Sequence, residues 1–221
     1  MAEQDRPFRE LTLEDFVGRL ASAEPVPGGG SASAVAASLA AGLVAMVASL
    51  SENRPRYVMY MEVHQRTKAA GNELADRLLR LADEDAASYA AYGAAMKMPR
   101  ETADEQAART LAIQAAARVA AEVPLRCVEA CLEVVENAEL LAARCNVNAS
   151  SDLDVASLLA EAAARGAAAN VLVNLPSVGD ESWAAEMTTQ VNDLMARITA
   201  LAATTRAVVA SGELRAPVSV G

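Results

Sequence analysis

The hydrophobic pattern of the chain centres on a run without charge, from Ser31 to Ser51. Larger apolar residues recur in it at three- and four-residue spacing, which is typical of an α-helix; they are Val35, Leu39, Leu43, Met46 and Leu50. A second stripe holds only small residues, Ser38, Gly42, Ala45 and Ser49, and so flat a stripe lets another backbone come close. Because no side of this helix is charged, the pattern predicts burial on every side, between other helices or across a subunit boundary.

The same run is long enough to span a membrane, since a spanning helix needs about 20 apolar residues. Ala and Ser supply more than half of it, however, and aromatic residues are missing at both ends, where spanning helices usually carry them. The rest of the chain offers no second span. The sequence therefore favours a buried helix of a soluble protein.

A turn precedes this helix. Pro25 and Pro27 fix φ and lack an N–H donor, and the glycine triplet 28–30 adopts conformations closed to other residues, so we expect no regular element before Ser31. Ser31 or Ser33 is then the predicted helix cap. Backbone N–H groups at such a helix end can hold a carboxylate or phosphate without a cationic side chain.

Helical spacing continues along the rest of the chain. Thr12 and Asp15 predict the start of a short amphipathic helix, and Pro55 the first turn of a long one that reaches about Met98. Thr102 is a candidate cap for a helix to Val123, where Pro124 either kinks the helix or starts a new one ending near Arg144. Further helices are predicted to run to about Val173 and from Asp180 to about Gly212. No strand pattern is present, so we expect an all-α, single-domain helical bundle spanning residues 1–221.

Asp85 is unusual because its spacing places a carboxylate on the inward stripe of the long helix, whereas Asp83 and Glu84 face outward. Burial raises the pKa of a carboxyl group, which suits an acid or base. A carboxylate hydrogen-bonded to a neighbouring helix for structural reasons explains the pattern equally well, so both interpretations stay open. Lys97 lies some three turns further on, at the end of the same helix.

Polar side chains gather in two later places. The loop 145–154 carries Asn146, Asn148, Ser150, Ser151 and Asp152 just before an alanine-rich helix, more than capping requires. That helix contains Asn170 and Asn174, one turn apart among apolar residues. Buried amides need hydrogen-bond partners, and a polar ligand is one possible source.

Composition narrows the possible partners. The 221 residues carry a net charge of −10, which argues against nucleic acid or an anionic membrane and leaves a small ligand or another protein. Three cysteines and one histidine argue against a disulfide framework and against a metal site. The N-terminus shows no apolar signal segment, so we expect a cytoplasmic protein.

Seven sequence blocks, in order, resemble the cyclodeaminase family of folate enzymes, which includes the C-terminal half of formimidoyltransferase-cyclodeaminase and stand-alone methenyltetrahydrofolate cyclohydrolases. The blocks are P-V-P-G-G-G-S-A, R-P-R-Y, D-E-D-A-A-S-Y, K-M-P, E-V-P-L, N-V-N-A-S-S-D and G-A-A-A-N-V-L-V-N-L. The resemblance implies an all-helical homodimer that binds a tetrahydrofolate derivative near the dimer interface, without a metal or redox cofactor. It implies one of two reactions, hydrolysis of 5,10-methenyltetrahydrofolate or loss of ammonia from 5-formimidoyltetrahydrofolate.

The resemblance also assigns candidate roles. Asp85, Lys97 and Asp152 match positions expected to carry acid–base or electrostatic functions. Positions expected to contact the substrate are Gly28, Gly29, Gly30, Ser31, Asn146, Asn148, Asn170 and Asn174, with Arg54 and Arg56 facing the glutamate tail. The chain departs from the family pattern at Cys145 and Val147 in the polar loop and at Asn53 and Pro55 near the arginines, which bears on the loop geometry and on affinity for the glutamate tail. Cys145 leaves open a third possibility, a non-catalytic helical dimer that serves as a binding or assembly partner.

Overall fold

The computed structural model describes residues 6–218, and within that range every regular element is helical. The α-helices are α1 (Leu13–Leu20), α2 (Gly29–Ser51), α3 (Met61–Met96), α4 (Ala103–Leu141), α5 (Ser150–Asn174) and α6 (Glu181–Ser211). Short 3-10 helices cover Phe8–Glu10, Pro55–Tyr60, Val147–Ala149 and Leu175–Ser177. The predicted all-α class is confirmed. The prediction that no signal peptide is present rests on an N-terminal segment whose first five residues lie outside the described range.

Side-chain caps start three of the helices as local chemistry predicts. The hydroxyl of Thr12 accepts a hydrogen bond from the Asp15 N–H at 3.1 Å. Thr102 and Glu105 form a reciprocal capping box at the start of α4. Asp180 caps α6 by accepting from the Trp183 N–H at 3.0 Å.

The start of α2 differs from the prediction. The helix begins at Gly29, two residues before Ser31, and Gly28 occupies the cap position without any side-chain cap bond. Neither serine caps the helix, because the Ser31 hydroxyl donates to the Asp85 carboxylate on α3 and the Ser33 hydroxyl donates to the Gly29 carbonyl. Glycines therefore form the first turn itself, and the helix N-terminus stays open.

Helix α4 continues through Pro124 from Ala103 to Leu141, which resolves the alternatives of a kink or a new helix in favour of one helix. A proline inside a helix leaves the carbonyl four residues earlier without its usual donor. In α4 that carbonyl belongs to Ala120, and it receives a hydrogen bond from the side chain of Asn174 at 2.9 Å.

Helix α2 lies at the centre of the bundle and runs antiparallel to both α3 and α5. Against α3, Ser31 contacts Asp85 near one end, the Ser38 hydroxyl donates to the Ala75 carbonyl at 2.8 Å, and Glu52 pairs with Lys68 near the other end. The two backbones come close at Gly71, where an added Cβ atom would lie 2.8 Å from the Ala41 carbonyl oxygen. Small side chains thus allow the near-contact of backbones that the sequence predicted.

Only part of α2 is buried within the chain, so the predicted burial on every side is not reached by packing between helices of one subunit, and its other alternative, burial across a subunit boundary, stays a prediction. The small residues Ala37, Ala41 and Ala48 are buried, whereas Leu39, Met46 and Leu50 are 57%, 39% and 43% exposed. By length and composition α2 is apolar enough to cross a membrane, and half of its most apolar window is buried in the bundle. The large apolar stripe is therefore exposed at Leu39, Met46 and Leu50, whereas Val35 and Leu43 pack partly against the core.

Replacing Gly71 by Ala should lower the free energy of unfolding by about 1 to 3 kcal/mol, because the new methyl group would press against the backbone of α2, which cannot move aside. The measurement is urea unfolding followed by circular dichroism at one protein concentration.

The matched control is Gly93→Ala in the same helix, where an added Cβ meets nothing within 4 Å. That variant should be as stable as the parent or slightly more stable, since Ala is the better helix former. Equal stability of the two variants would contradict the close packing at Gly71.

Candidate active site

A cavity of about 290 Å³ opens where the N-terminus of α2 meets the second half of α3 and the end of α5. Six of the predicted site residues line it: Gly28, Gly29, Gly30, Asp85, Asn170 and Asn174. The antiparallel packing of α2 against α3 and α5 brings these distant parts of the sequence together. We call this space the Asp85 cavity.

Asp85 is held by the first turn of α2. Its Oδ2 accepts a hydrogen bond from the Ser31 hydroxyl at 2.9 Å, and the same hydroxyl lies 3.0 Å from the Ala82 carbonyl oxygen. Residue 30 has to be glycine for this arrangement, because a Cβ atom there would lie 2.1 Å from Asp85 Oδ1. The Ser31 backbone N–H also favours the ionised carboxylate, so the first turn of α2 holds Asp85 through the side chain and the main chain of one residue, and the carboxylate lines the cavity.

Two opposing effects set the ionisation of this carboxylate. Partial burial raises the pKa of Asp85 above its ordinary value, and the hydrogen bond from Ser31 lowers it by a smaller amount. A carboxyl group with a raised pKa exchanges protons more readily near neutral pH than a solvated one. The geometry combines both interpretations left open by the sequence, since Asp85 bonds a neighbouring helix and also faces a cavity.

The open end of α2 adds to the electrostatics of the cavity. The first N–H groups of a helix have no partner within the helix, and this end of the helix is positive. Gly28 caps α2 without a side chain, and the glycines line the cavity directly. The Asp85 carboxylate occupies the position beside this helix end where the sequence predicted room for a bound anion.

Asn170 and Asn174 form the opposite wall and are only partly buried. The Asn170 amide donates to the Gly166 carbonyl at 2.8 Å, and the Asn174 amide donates to the carbonyls of Ala120 and Asn170. Neither Oδ1 atom accepts a hydrogen bond from the described residues. The two side chains therefore offer oxygen acceptors to whatever fills the cavity.

The structure places five other predicted residues at the opposite end of α2: Arg54, Arg56, Asn146, Asn148 and Asp152. The 23 residues of α2 extend about 34 Å, so these side chains lie far from the Asp85 cavity of the same chain. We call these five residues the Asn146 group.

The Asn146 group is organised around the end of α2. Asn146 is buried, donates its backbone N–H to the Ser51 hydroxyl at 2.7 Å, and accepts from the Asn148 N–H at 3.2 Å. Arg54 bonds the Leu50 carbonyl, and the Arg56 guanidinium lies 5.6 Å from the centre of the Tyr57 ring. Asp152 sits in the first turn of α5. This is a second polar surface rather than part of the cavity.

Lys97 also lies outside the cavity of its own chain. It is the exposed residue that follows the last turn of α3, roughly 18 Å along the helix from Asp85. Its backbone N–H donates to the Ala94 carbonyl, and its side chain makes no hydrogen bond or ion pair with the described residues. Proximity in sequence on one helix did not bring the two charges together.

The cavity includes side chains that were not singled out as site residues: Ser88, Tyr89, Tyr92 and Ala120. Tyr89 and Tyr92 follow Asp85 at helical spacing on α3, and Tyr89, which is 52% exposed, lies at the cavity rim. Their spacing of four and seven residues from Asp85 was the available signal. Among residues 6–218, no group of three or more His, Cys, Asp or Glu is arranged to hold a metal ion.

Comparison with known proteins gives a consistent result. The family profile described as formiminotransferase-cyclodeaminase matches residues 12–193. A methenyltetrahydrofolate cyclohydrolase of Methylorubrum extorquens is 36% identical over 190 residues, which cover 86% of this chain and 91% of that protein. A formimidoyltransferase-cyclodeaminase of Gallus gallus is 30% identical over 193 residues, which cover 87% of this chain but 36% of that longer protein.

The fold is similar to that of a solved structure, the formiminotetrahydrofolate cyclodeaminase of Thermotoga maritima. The TM-score is 0.83 at 26% sequence identity, and the match covers 92% of this chain and 98% of that one. The similarity therefore includes nearly all of both chains.

Replacing Ser31 by Ala should raise the pKa of Asp85 further, because the hydroxyl that favours the ionised form is removed while burial remains. The measurement is an acid titration of the Asp85 carboxyl carbon by NMR. Ser88→Ala is the control, since the Ser88 hydroxyl donates to the backbone carbonyl of Asp85 at 2.8 Å and not to its carboxylate. A shift to lower pH in the Ser31 variant would refute the proposed contact.

Proposed function

The chain belongs to the formiminotransferase-cyclodeaminase family, and from this premise we propose that it is a folate one-carbon enzyme acting on the N5/N10 bridge of tetrahydrofolate. The reaction supported best is that of a methenyltetrahydrofolate cyclohydrolase. The observation that carries this choice is the cyclohydrolase relative, which is 36% identical and is matched over 91% of its own length. The cavity that contains Asp85 is the site we propose for the reaction.

Hydrolysis of the methenyl bridge needs a group that accepts and donates protons. Water adds to the bridge carbon and gives up one proton, the bond from the resulting tetrahedral carbon to N5 then breaks, and N5 takes up the second proton as the hydroxyl becomes the formyl carbonyl. Asp85 is suited to both steps as a base and then an acid, because its carboxylate lines the cavity and burial raises its pKa. Ser31 holds the carboxylate in place during both transfers.

Formimidoyltetrahydrofolate cyclodeaminase activity is the second candidate. The solved Thermotoga maritima structure, which carries that name, aligns with 92% of this chain. In that reaction N10 attacks the formimidoyl carbon and ammonia leaves, so the same tetrahedral carbon and the same proton carrier are required. The non-catalytic dimer is less well supported, because Asp85 and its serine partner are both in place.

We further propose a homodimer built on the exposed stripe of α2. Leu39, Met46 and Leu50 leave an apolar surface without charge along a central helix, and a second copy of α2 packed antiparallel would cover it. Such a pairing would bring the Asn146 group of one subunit towards the Asp85 cavity of the other. This accounts for predicted site residues that lie at opposite ends of one helix.

The remaining expectations are proposals of the same kind: one domain over residues 1–221, a cytoplasmic location, no metal or redox cofactor, and no nucleic-acid or membrane partner. The acidic charge of −10 supports the exclusion of nucleic acid.

The function is tested by a paired assay of the purified protein. It should accelerate the loss of 5,10-methenyltetrahydrofolate absorbance over buffer, and release of ammonia from 5-formimidoyltetrahydrofolate distinguishes the second candidate. Asp85→Asn should reduce turnover by about 100-fold or more, because the isosteric amide cannot carry the proton. An unchanged rate in that variant would show that the carboxylate is structural, and inactivity of the parent on both substrates would remove the proposed function.

Thermal unfolding of Asp85→Asn tests whether its reduced turnover is caused by loss of the fold. The folded-state pKa of Asp85 is raised, so its stabilising contribution exists below the unfolded pKa and is lost as the pH rises through the folded pKa. At neutral pH the buried carboxylate therefore opposes folding. Asp85→Asn should be at least as stable as the parent.

The shared site is tested by subunit complementation. Asp85→Asn and Asp152→Asn, each with its own tag, should be nearly inactive alone and regain about a quarter of parental activity when co-expressed, because half of the dimers contain one intact site. Adding Leu39→Glu to both chains should abolish this recovery by placing charge on the α2 stripe, whereas Leu13→Glu on the exposed face of α1 should not. Failure of the mixture to recover activity would contradict a site shared between subunits.

A further inference from the structure

Pro124 and Asn174 form a coupled pair that connects α4 to the cavity. Pro124 has no N–H, so the Ala120 carbonyl lacks the donor that an ordinary residue at position 124 would supply. The Asn174 side chain takes that place, with its Nδ2 2.9 Å from the Ala120 oxygen. Ala120 and Asn174 both line the cavity, so the substitute hydrogen bond lies in its wall.

The second hydrogen of the same amide is also used. Asn174 Nδ2 donates to the Asn170 carbonyl at 2.8 Å. An amide nitrogen has two hydrogens, and a carbonyl oxygen cannot donate, so these two backbone acceptors fix which end of the side chain is nitrogen. The Asn174 side chain has no further hydrogen to donate, and its Oδ1 accepts no hydrogen bond from the described residues. Towards the cavity, Asn174 is an acceptor alone.

We infer that Pro124 is a positioning residue. Because Pro124 cannot donate to the Ala120 carbonyl, the Asn174 amide nitrogen donates instead, and this directs the Asn174 oxygen towards the ligand. There the Asn174 oxygen recognises an N–H group of the substrate. This inference rests on the proposed function. A reduced pterin carries ring N–H and amino donors, and a cavity wall that ends in the oxygens of Asp85, Asn170 and Asn174 is complementary to such an edge. The recognised group is therefore an N–H donor of the pterin rather than its carbonyl oxygen.

A purely structural role for the pair makes a different prediction. If Asn174 only stabilised α4, replacing Pro124 by Ala would remove the need for it, because the backbone N–H gained at position 124 can bond the Ala120 carbonyl directly. A proline inside a helix is unfavourable, so this variant should not lose stability. A weaker interaction with substrate in an equally stable protein would separate positioning from stabilisation.

The experiment compares Pro124→Ala, Asn174→Ala and the double variant by steady-state kinetics on 5,10-methenyltetrahydrofolate and by thermal unfolding. Pro124→Ala should raise KM about fivefold, the effect of one misplaced neutral hydrogen bond, with kcat changed less than about twofold. The double variant should be no worse than Asn174→Ala alone, because both changes remove the same contact. Asn137→Ala is the matched control in α4, where an amide also donates to a backbone carbonyl but lies outside the cavity.

A parental KM in Pro124→Ala, or effects of the two variants that add in full, would overturn the inference while leaving the proposed function intact. Inactivity of the parent protein on both folate substrates would instead remove the function. In that case a crystal structure of Pro124→Ala still decides the geometry. Loss of the bond between Asn174 Nδ2 and the Ala120 oxygen would support the inference, and its retention would refute it.

Discussion

The structure depends on the close approach of the backbones of α2 and α3. At Gly71 and at Gly30 there is no room for a Cβ atom, because in the first case the neighbour is the backbone of α2 and in the second it is the Asp85 carboxylate. Small residues on both helices make this short distance between α2 and α3 possible, and protein interiors tolerate little volume change at such contacts. The hydrogen bond from Ser31 to Asp85 exists only because the two helices lie this near.

The same approach explains why a carboxylate can be partly buried without an ion pair. Burial disfavours the charged form, and in many proteins a cation would compensate. Here the compensation comes from a neutral hydroxyl and from the open N-terminus of α2, which is positive without carrying a side-chain charge. The carboxylate therefore keeps a raised pKa, which an adjacent Lys or Arg would have lowered. The partial burial of Asp85 is therefore unfavourable for its charged form and, for the same reason, suits the carboxyl group to proton transfer.

The length of α2 has a second consequence for function. Its two ends carry different polar groups, and a straight helix keeps them about 34 Å apart within one subunit. The apolar stripe between them is exposed at Leu39, Met46 and Leu50. An antiparallel pair of such helices is the simplest arrangement that would both cover the stripe and reunite the two ends, and for this reason the proposed assembly and the proposed site are one hypothesis.

The sequence by itself determined the helical class and the caps at Thr12 and Thr102, because periodicity and capping chemistry are local properties, whereas the grouping of Asp85, Asn170 and Asn174 in one site came from the resemblance of sequence motifs to a family. It did not determine where α2 begins, which stripe of α2 faces solvent, or that Pro124 lies inside a continuous helix bonded through Asn174. It also placed Lys97, Asp152 and the arginines with Asp85, whereas the chain holds them at distant positions. Those outcomes depend on which helices pack together and in which direction, and only the tertiary structure fixes distances between residues that are far apart in the sequence.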